Sequence, residues 1–191
     1  MKPAISRSRL RNAIVFFAKN TESCGKIKLF KLLYLLDFEH FRQTGKSVTG
    51  FDYEAWKFGP VPVKLMQEWE DLEEDLSAAV EIVPVQVIDY FRQEVRVRDE
   101  VEFDDGDFTP RQLTIMQNLS ERYATTQSPT MIDVTHEQNG AWDKIWDKGR
   151  GAQRVIPYEL ALEADAASRA QILESAAEAK GFSRSIPAGG Y

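Results

Sequence analysis

Residues 26–43 most constrain how this chain can fold, because their sequence, KIKLFKLLYLLDFEHFRQ, is apolar almost throughout. Steps of about 100° per residue gather the large apolar side chains on one wide helical face. A helix that is apolar around most of its circumference is buried on most sides. We therefore predict that this helix is the centre of the fold. Its charged residues form a narrow stripe on the opposite side: Lys28, Lys31, Glu39 and Arg42.

Asp37 interrupts the apolar face of this helix, between Leu33 and Phe41. A buried carboxylate without hydrogen-bond donors is energetically costly, so Asp37 must find donors or turn toward solvent. One interpretation is a catalytic acid whose pKa is raised by burial. The other is a structural acid that accepts hydrogen bonds from residues 56–61. We expect the structural role, because no second catalytic group lies nearby in the sequence.

Glycines and prolines follow the central helix and separate two further elements. Gly45 stands where a helix C′ glycine belongs, and the alternating aromatic residues 51–58 predict a short strand. Residues 59–62, Gly-Pro-Val-Pro, are predicted to be a turn into an amphipathic helix that ends near Leu76, because proline fixes φ and lacks an amide donor. The outer face of that helix is either a solvated surface or a patch for a basic partner. Its acidic residues are Glu68, Glu70, Asp71, Glu73, Glu74 and Asp75.

The second half of the chain changes from strand to helix patterns. Residues 80–103 are rich in β-branched side chains and predict a small antiparallel sheet, which the strand at 51–58 could join. Thr109, Pro110 and Gln112 then form a capping box at the start of a helix. Two more helices are expected, the first starting at Ser128 and the second over residues 141–148.

These patterns predict a mainly helical α+β fold: a compact bundle of about five to seven helices around a buried central helix, with a small antiparallel sheet. Three parts are expected. Residues 1–25 form an N-terminal helix and connector, and residues 26–150 form the core domain, whose edge lies at the glycines of 149–152. Residues 151–191 form an Ala-rich helical extension from about 156 to 180, stopped by Gly181, and a flexible tail over 183–191.

Composition argues against several classes of function. A net charge of −6 opposes non-specific binding of nucleic acid, which needs cationic side chains to neutralise phosphates. The single cysteine, Cys24, allows neither an intrachain disulfide nor a cysteine-based zinc site. No basic cluster or histidine adjoins it, so we expect an inert thiol. No segment has the roughly 18 consecutive apolar residues of a membrane span, and no signal peptide is evident, so we expect a cytoplasmic protein without membrane contact.

The usual chemical motifs are also missing. The chain has no glycine-rich phosphate loop, no nucleophile elbow and no cluster of cysteine and histidine ligands. His40 and His136 lack a second ligand at metal-binding spacing, and we expect His136 to have a packing role at a helix end. We therefore assign no catalytic, cofactor-binding or metal-binding residue, and the residues alone indicate no enzyme.

Four motifs between residues 28 and 62 together resemble one known family. They are a Lys-Leu-x-Lys-Leu-Leu-Tyr helix with an acid in its last turns, a Gly-x-x-Val-Thr-Gly loop, an aromatic strand and a Gly-Pro-Val-Pro segment. The signature residues are Lys28, Leu33, Tyr34, Asp37, Gly45, Thr49, Gly50, Trp56, Lys57, Gly59, Pro60 and Pro62. This segment resembles the Panacea domain of SocA-like antitoxins and phage-associated GepA-like proteins. His136, Gly140 and Trp142 fit the weaker second half of the family pattern.

The resemblance implies a type II antitoxin that binds and neutralises a co-encoded protein toxin, for example a toxic small alarmone synthetase. The alternative that it implies is an adaptor that delivers the toxin to a AAA+ protease; an enzyme centred on Asp37 is the third hypothesis. The signature residues would keep the fold, and other surfaces would select the partner. A homodimer and a heterotetramer with the toxin are both open. The candidate contact residues are Lys46, Asp52, Tyr53, Glu68, Asp71, Glu74 and Asp75.

Overall fold

The computed structural model describes residues 4–137, 140–163 and 168–185 of the chain. Its helices are α1 (Ala4–Asn20), α2 (Lys26–Thr44), α3 (Val63–Gln67), α4 (Glu74–Ser77), α5 (Pro110–Arg122), α6 (Ser128–Thr135), α7 (Ala141–Trp146) and α8 (Arg169–Ser185). Its strands are β1 (Tyr53–Trp56), β2 (Gly59–Pro62), β3 (Val80–Val87) and β4 (Tyr90–Val97). Short 3-10 turns lie at Asp147–Gly149 and Tyr158–Ala161. The mainly helical α+β fold predicted from the sequence is confirmed.

Helix α2 is the central element, in contact with α1, α5, α6, α8, β2 and β4. Leu29, Leu32, Leu33 and Leu36 are fully buried, as the apolar pattern predicts, and Leu35 is partly buried. The predicted solvent-facing stripe is wrong for two of its members, however, because Lys28 is 0% exposed and Lys31 is 2% exposed. The elements β2, α5 and α6 pack around α2, so this side of the helix is covered as well. Only Glu39 and Arg42 of the stripe reach the surface.

Strands β1 and β2 form a hairpin in which Tyr53 lies opposite Pro62 and Trp56 lies opposite Gly59. The prediction that Gly-Pro-Val-Pro is a turn is wrong: these residues are a strand, and α3 begins after Pro62. Pro60 and Pro62 stand at alternate positions, so both missing N–H groups fall on the side of β2 that faces away from β1. An edge strand tolerates proline there without losing a hydrogen bond to its neighbour.

Strands β3 and β4 form a second, separate antiparallel hairpin, and β1 does not join it. The free edge of β1 is already occupied by residues 153–156. The N–H of Ala55 donates to the carbonyl oxygen of Arg154 at 2.9 Å, and the N–H of Ile156 donates to the carbonyl oxygen of Tyr53 at 2.7 Å. With β2 on one edge and residues 153–156 on the other, β1 has no edge left for β3 or β4.

The single amphipathic helix predicted after Pro62 is wrong, because the chain forms two short helices there. Helix α3 ends at Gln67, and α4 begins only at Glu74. Leu65, Trp69 and Leu76 are nevertheless buried, as the apolar spacing predicts. The irregular segment 68–73 lets Trp69 reach the core, where its ring meets that of Phe30 edge-on at 5.1 Å.

Helix α5 begins with the predicted capping box. The Thr109 hydroxyl accepts from the N–H of Gln112, and the Gln112 side chain accepts from the N–H of Thr109 at 2.9 Å. Helices α6 and α7 begin at Ser128 and Ala141, where the sequence predicts them. Asn139, part of the predicted break before α7, lies outside the described residues.

Several described residues beyond 151 pack on the core. Ile156 is 1% exposed within the main apolar cluster, and Leu162, Ile172 and Ala176 form a second cluster with Phe41 of α2. The division at residues 149–152 remains a prediction. The predicted helix stop at Gly181 is wrong, since α8 continues to Ser185. Residues 186–191 of the predicted tail lie outside the described part of the chain.

Candidate functional site

The carboxylate of Asp37 is fully buried and joins α2 to the loop and strand that follow it. Its Oδ1 atom accepts from the backbone N–H groups of Val48 and Thr49, both at 2.7 Å. Its Oδ2 atom accepts from the hydroxyls of Thr49 and Tyr53, the latter at 2.8 Å. The Asp37 cluster, as we call Asp37 with Val48, Thr49, Tyr53 and Tyr158, therefore ties the C-terminal half of α2 to β1.

The prediction that residues 56–61 hold Asp37 is wrong, because the chain turns back sooner. Gly45 ends α2 in the left-handed conformation, with φ of 73°, which glycine adopts without the steric cost of a Cβ. The chain reverses there, so Val48 and Thr49 return beside the turn of α2 that carries Asp37. Neither Trp56 nor Lys57 contributes a donor to the carboxylate.

Burial raises the pKa of Asp37, and the hydrogen bonds from Thr49, Tyr53 and Val48 oppose that rise. Burial and the adjacent Asp37 charge also raise the pKa of Tyr53, so its phenol keeps its proton and donates. Two N–H groups and two hydroxyls already occupy the lone pairs of the carboxylate. With no solvent exposure and its acceptor sites filled, Asp37 has the geometry of a structural acid rather than of a catalytic one.

Tyr158 completes the Asp37 cluster, and no sequence pattern predicts it there. Its hydroxyl donates to the carbonyl oxygen of Phe51 at 2.6 Å and lies 3.5 Å from Oδ2 of Asp37. Its ring packs on those of Phe38 and Phe41, with centroids 4.6 and 5.3 Å away. The only local signal is Pro157, which precedes the 3-10 turn, in a segment without apolar periodicity.

Lys31 is buried beside the glycine of the family's Gly-Pro-Val-Pro segment. Its ammonium donates to the carbonyl oxygen of Pro60 at 2.9 Å, and burial lowers its pKa to about 7. Gly59 has φ of 95°, and a Cβ at this position would lie 2.8 Å from both Lys31 Nζ and Thr135 Oγ1. Glycine at residue 59 therefore allows α2, β2 and α6 to approach one another.

Lys28 joins the N-terminal end of α2 to the connector before it and to the segment after α5. Its ammonium donates to the carbonyl oxygens of Glu22 at 2.8 Å and Ala124 at 3.0 Å. Glu22 lies between α1 and α2, and Ala124 follows α5. Burial lowers the pKa of Lys28. Both buried lysines are thus bound to backbone carbonyls and offer no reactive amine at the surface.

Trp142 connects α7 to the signature hairpin. Its indole N–H donates to the carbonyl oxygen of Trp56 at 3.1 Å. The imidazole of His136, at the C-cap of α6, stacks on the Trp142 ring with centroids 3.7 Å apart. Within the described residues, the buried Nε2 atom of His136 has no hydrogen-bond partner. Burial, with the positive charge of Lys31, lowers the pKa of His136, so a neutral packing role fits the geometry.

Arg7 of α1 binds part of the acidic segment predicted to contact a partner. Its guanidinium donates to Glu68, with a shortest distance of 2.9 Å, and to Asp75, and it lies 3.3 Å from Glu73. The hydrogen bond from Arg7 lowers the pKa of Asp75. Glu68 and Asp75 therefore hold α1 against the segment between α3 and α4. Two acidic candidates remain exposed there: Asp71 and Glu74.

The other contact candidates divide between surface and core. Lys46 and Asp52 are exposed, on the loop before β1 and just ahead of the strand. Tyr53 is 0% exposed, so the prediction that it contacts a partner is wrong. The alternation of β1 places Tyr53 and Ala55 toward the core, whereas Asp52 points outward.

Neither a reactive cysteine nor a three-ligand metal cluster is found in the described part of the chain. Cys24 is buried, and burial raises the pKa of its thiol to about 11, which keeps it protonated at neutral pH. No three His, Cys, Asp or Glu side chains among the described residues are placed to hold a metal ion. None of the described helices is both long and apolar enough to cross a bilayer.

Comparison with known proteins assigns the family. The family model described as "Antitoxin SocA-like, Panacea domain" matches residues 29–143, which is more than half of the chain and runs from α2 into α7. No curated protein and no solved structure matches. The match covers the Asp37 cluster except Tyr158, together with Lys31, Gly59 and Trp142. The chain therefore belongs to the SocA-like antitoxin family that is defined by the Panacea domain.

Proposed function

We propose that this protein is a type II antitoxin that neutralises a co-encoded protein toxin by binding it directly. Family membership supports the antitoxin role. The observation that carries direct binding is that three charged side chains of the family's helix motif bind groups inside the protein. Lys28, Lys31 and Asp37 are all at most 2% exposed and bind groups of the same chain.

We therefore expect another protein to bind exposed side chains of this chain rather than these buried charged groups. We place part of the contact on the exposed acids Asp71 and Glu74, which border the Arg7-bound segment, and on Lys46 and Asp52 near β1. Exposed charges of this kind steer association with a partner of opposite charge. The proposal makes the protein a non-enzymatic regulator in the cytoplasm.

Co-expression with the toxin from the neighbouring gene tests the proposal. We expect the protein to restore growth and to co-purify with the toxin as a stoichiometric complex, whose mass by light scattering gives the stoichiometry. Growth that stays inhibited, together with failure to co-purify, would reject the proposal. A toxin that is lost faster in the presence of the protein would identify a proteolytic adaptor instead, and an unchanged toxin half-life excludes that alternative.

A charge-reversal pair tests where the toxin binds. In Asp71→Lys with Glu74→Lys, we expect the toxin to bind about tenfold more weakly, which corresponds to about 1.4 kcal/mol. Asp99→Lys with Glu100→Lys is the matched control, because these two acids are also exposed but lie after β4. Equal weakening by both pairs would point to net charge rather than to this surface.

A further inference from the structure

A groove between α2 and α5 carries positive charge on a protein whose net charge is −6. Its volume is about 700 Å³. Arg42 lines it from α2, and Arg111 and Arg122 line it from the two ends of α5. All three arginines are exposed.

The acid that lines this groove is already neutralised. The carboxylate of Glu39 binds the guanidinium of Arg42 and accepts from the amide of Gln43 at 2.7 Å. Arg111 and Arg122 make no ion pair with any described residue. Arg7 and Arg92, by comparison, are paired with carboxylates.

Two further cations flank the end of the groove at Arg111. Arg9 of α1 binds the backbone carbonyl of Asp107 at 2.8 Å rather than a carboxylate, and Lys46 is exposed. The buried His40 lies among these groups. Burial lowers the pKa of His40, and the charges of Arg111, Arg9 and Lys46 lower it further. Cationic side chains thus cluster on this side of the molecule and outnumber Glu39, the acid in the lining of the groove.

The spacing of the groove defines what fits it. Arg111 and Arg122 are eleven residues apart on α5, about 16 Å along the helix axis. Thr114 and Asn118 lie between them at helical spacing, exposed on the same wall of the groove. A ligand that spans the two arginines meets a cation at each end and hydrogen-bonding side chains between them.

We propose that this groove binds an acidic segment of a protein partner, with a carboxylate on each of Arg111 and Arg122. The inference rests on the proposed function, because it assigns that segment to the toxin. The planar guanidinium groups of arginine bind carboxylates through two parallel hydrogen bonds. A protein segment fits better than nucleic acid, because Glu39 stands in the groove and no aromatic side chain lines it for base stacking.

The test compares Arg111→Glu/Arg122→Glu with a matched control, Arg96→Glu/Arg154→Glu, whose arginines are exposed elsewhere and unpaired among the described residues. Each variant is titrated with a fluorescein-labelled oligoglutamate peptide and with single-stranded DNA. We expect the groove pair to bind the peptide about tenfold more weakly than wild type, and the control to stay within about twofold. Equal peptide binding by wild type and the groove pair, or tighter binding of DNA than of peptide, would overturn the inference.

The toxin complex separates this inference from the proposed function. If wild type binds the toxin and the groove pair binds it equally well, the groove is not the contact and the antitoxin role stands. If neither wild type nor any variant binds the toxin, but the groove pair still binds the peptide more weakly than wild type, the antitoxin role fails. The groove then remains a site for acidic segments. Far-ultraviolet circular dichroism on each variant establishes that the fold is retained.

Discussion

The hydroxyl of Tyr158 donates a 2.6 Å hydrogen bond to the carbonyl oxygen of Phe51, across 107 positions of sequence. This bond ties the segment after α7 to the loop that closes over Asp37. We expect Tyr158→Phe to lower the free energy of unfolding by about 1–2 kcal/mol, because it removes the hydrogen bond and keeps the ring against Phe38. Urea denaturation measures the change. Tyr123→Phe is the control, since the Tyr123 ring is buried but its hydroxyl makes no hydrogen bond within the described residues; an equal loss in both variants would contradict the role of Tyr158.

Asp37→Asn distinguishes a structural acid from a catalytic one. The substitution removes the charge and replaces an oxygen that accepts from the hydroxyls of Thr49 and Tyr53 by an NH₂ group that donates, so both hydroxyls must turn. We expect the free energy of unfolding to fall by about 3 kcal/mol. Asp52→Asn, on the exposed side of the same segment, should change stability by less than about 0.5 kcal/mol. Both variants are compared by urea denaturation and by toxin neutralisation. Full stability with complete loss of neutralisation in Asp37→Asn would make Asp37 a functional group and disprove our assignment.

A comparison of Gly59 with Gly149, which has nearly the same φ, measures the effect of packing around Lys31 on stability. Gly59 and Gly149 have φ of 95° and 96°, but a Cβ at Gly149 would come no nearer than 3.8 Å to a side chain, against 2.8 Å for Gly59. Alanine at either position suffers the cost of positive φ, about 1–2 kcal/mol. We expect Gly59→Ala to lower the free energy of unfolding by about 1–3 kcal/mol more than Gly149→Ala, because it displaces the Lys31 ammonium from Pro60. Equal losses in thermal or urea unfolding would show that the contact is easily relieved.

Lys31 should make stability depend on pH. Its pKa in the folded chain is about 7, against an ordinary value of 10.5. Between these values the unfolded chain binds more protons than the folded chain, so the free energy of unfolding rises with pH. From pH 7 to pH 9, we expect the free energy of unfolding of wild type to rise by about 2 kcal/mol more than that of Lys31→Met. Urea denaturation at each pH measures this difference, with Lys64→Met as the control for loss of a surface lysine. Parallel profiles for wild type and Lys31→Met would contradict a neutral buried amine.

Local patterns predicted the elements whose determinants lie close together in sequence. The apolar periodicity of α2, the capping box of Thr109 and Gln112, and the β-branched residues of β3 and β4 each act over a few residues. The structural role expected for Asp37 likewise followed from its place on an apolar face, because burial of an unpaired charge is costly wherever it occurs.

The features that sequence reasoning missed depend on distant partners. In the sequence, Lys28 and Lys31 look like solvent-facing charges. In the fold they are buried, because they bind the backbone carbonyls of Ala124 and Pro60. The Gly-Pro-Val-Pro segment has the composition of a turn, but it forms a strand because it pairs with β1. The predicted acidic helix is interrupted because Trp69 packs on Phe30 and Arg7 binds Glu68. In each case a long-range contact outweighs the local preference.

Residues 153–156 lie along the edge of β1, although the family match ends at residue 143. A chain cut at that point would leave β1 with unpaired backbone groups, and exposed strand edges readily pair with other chains. A fusion that transfers this fold to another protein therefore needs residues 153–156, and α8 as well, because Leu162, Ile172 and Ala176 pack on Phe41. The stretch that sequence similarity matches is shorter than the stretch needed to cover both edges of β1.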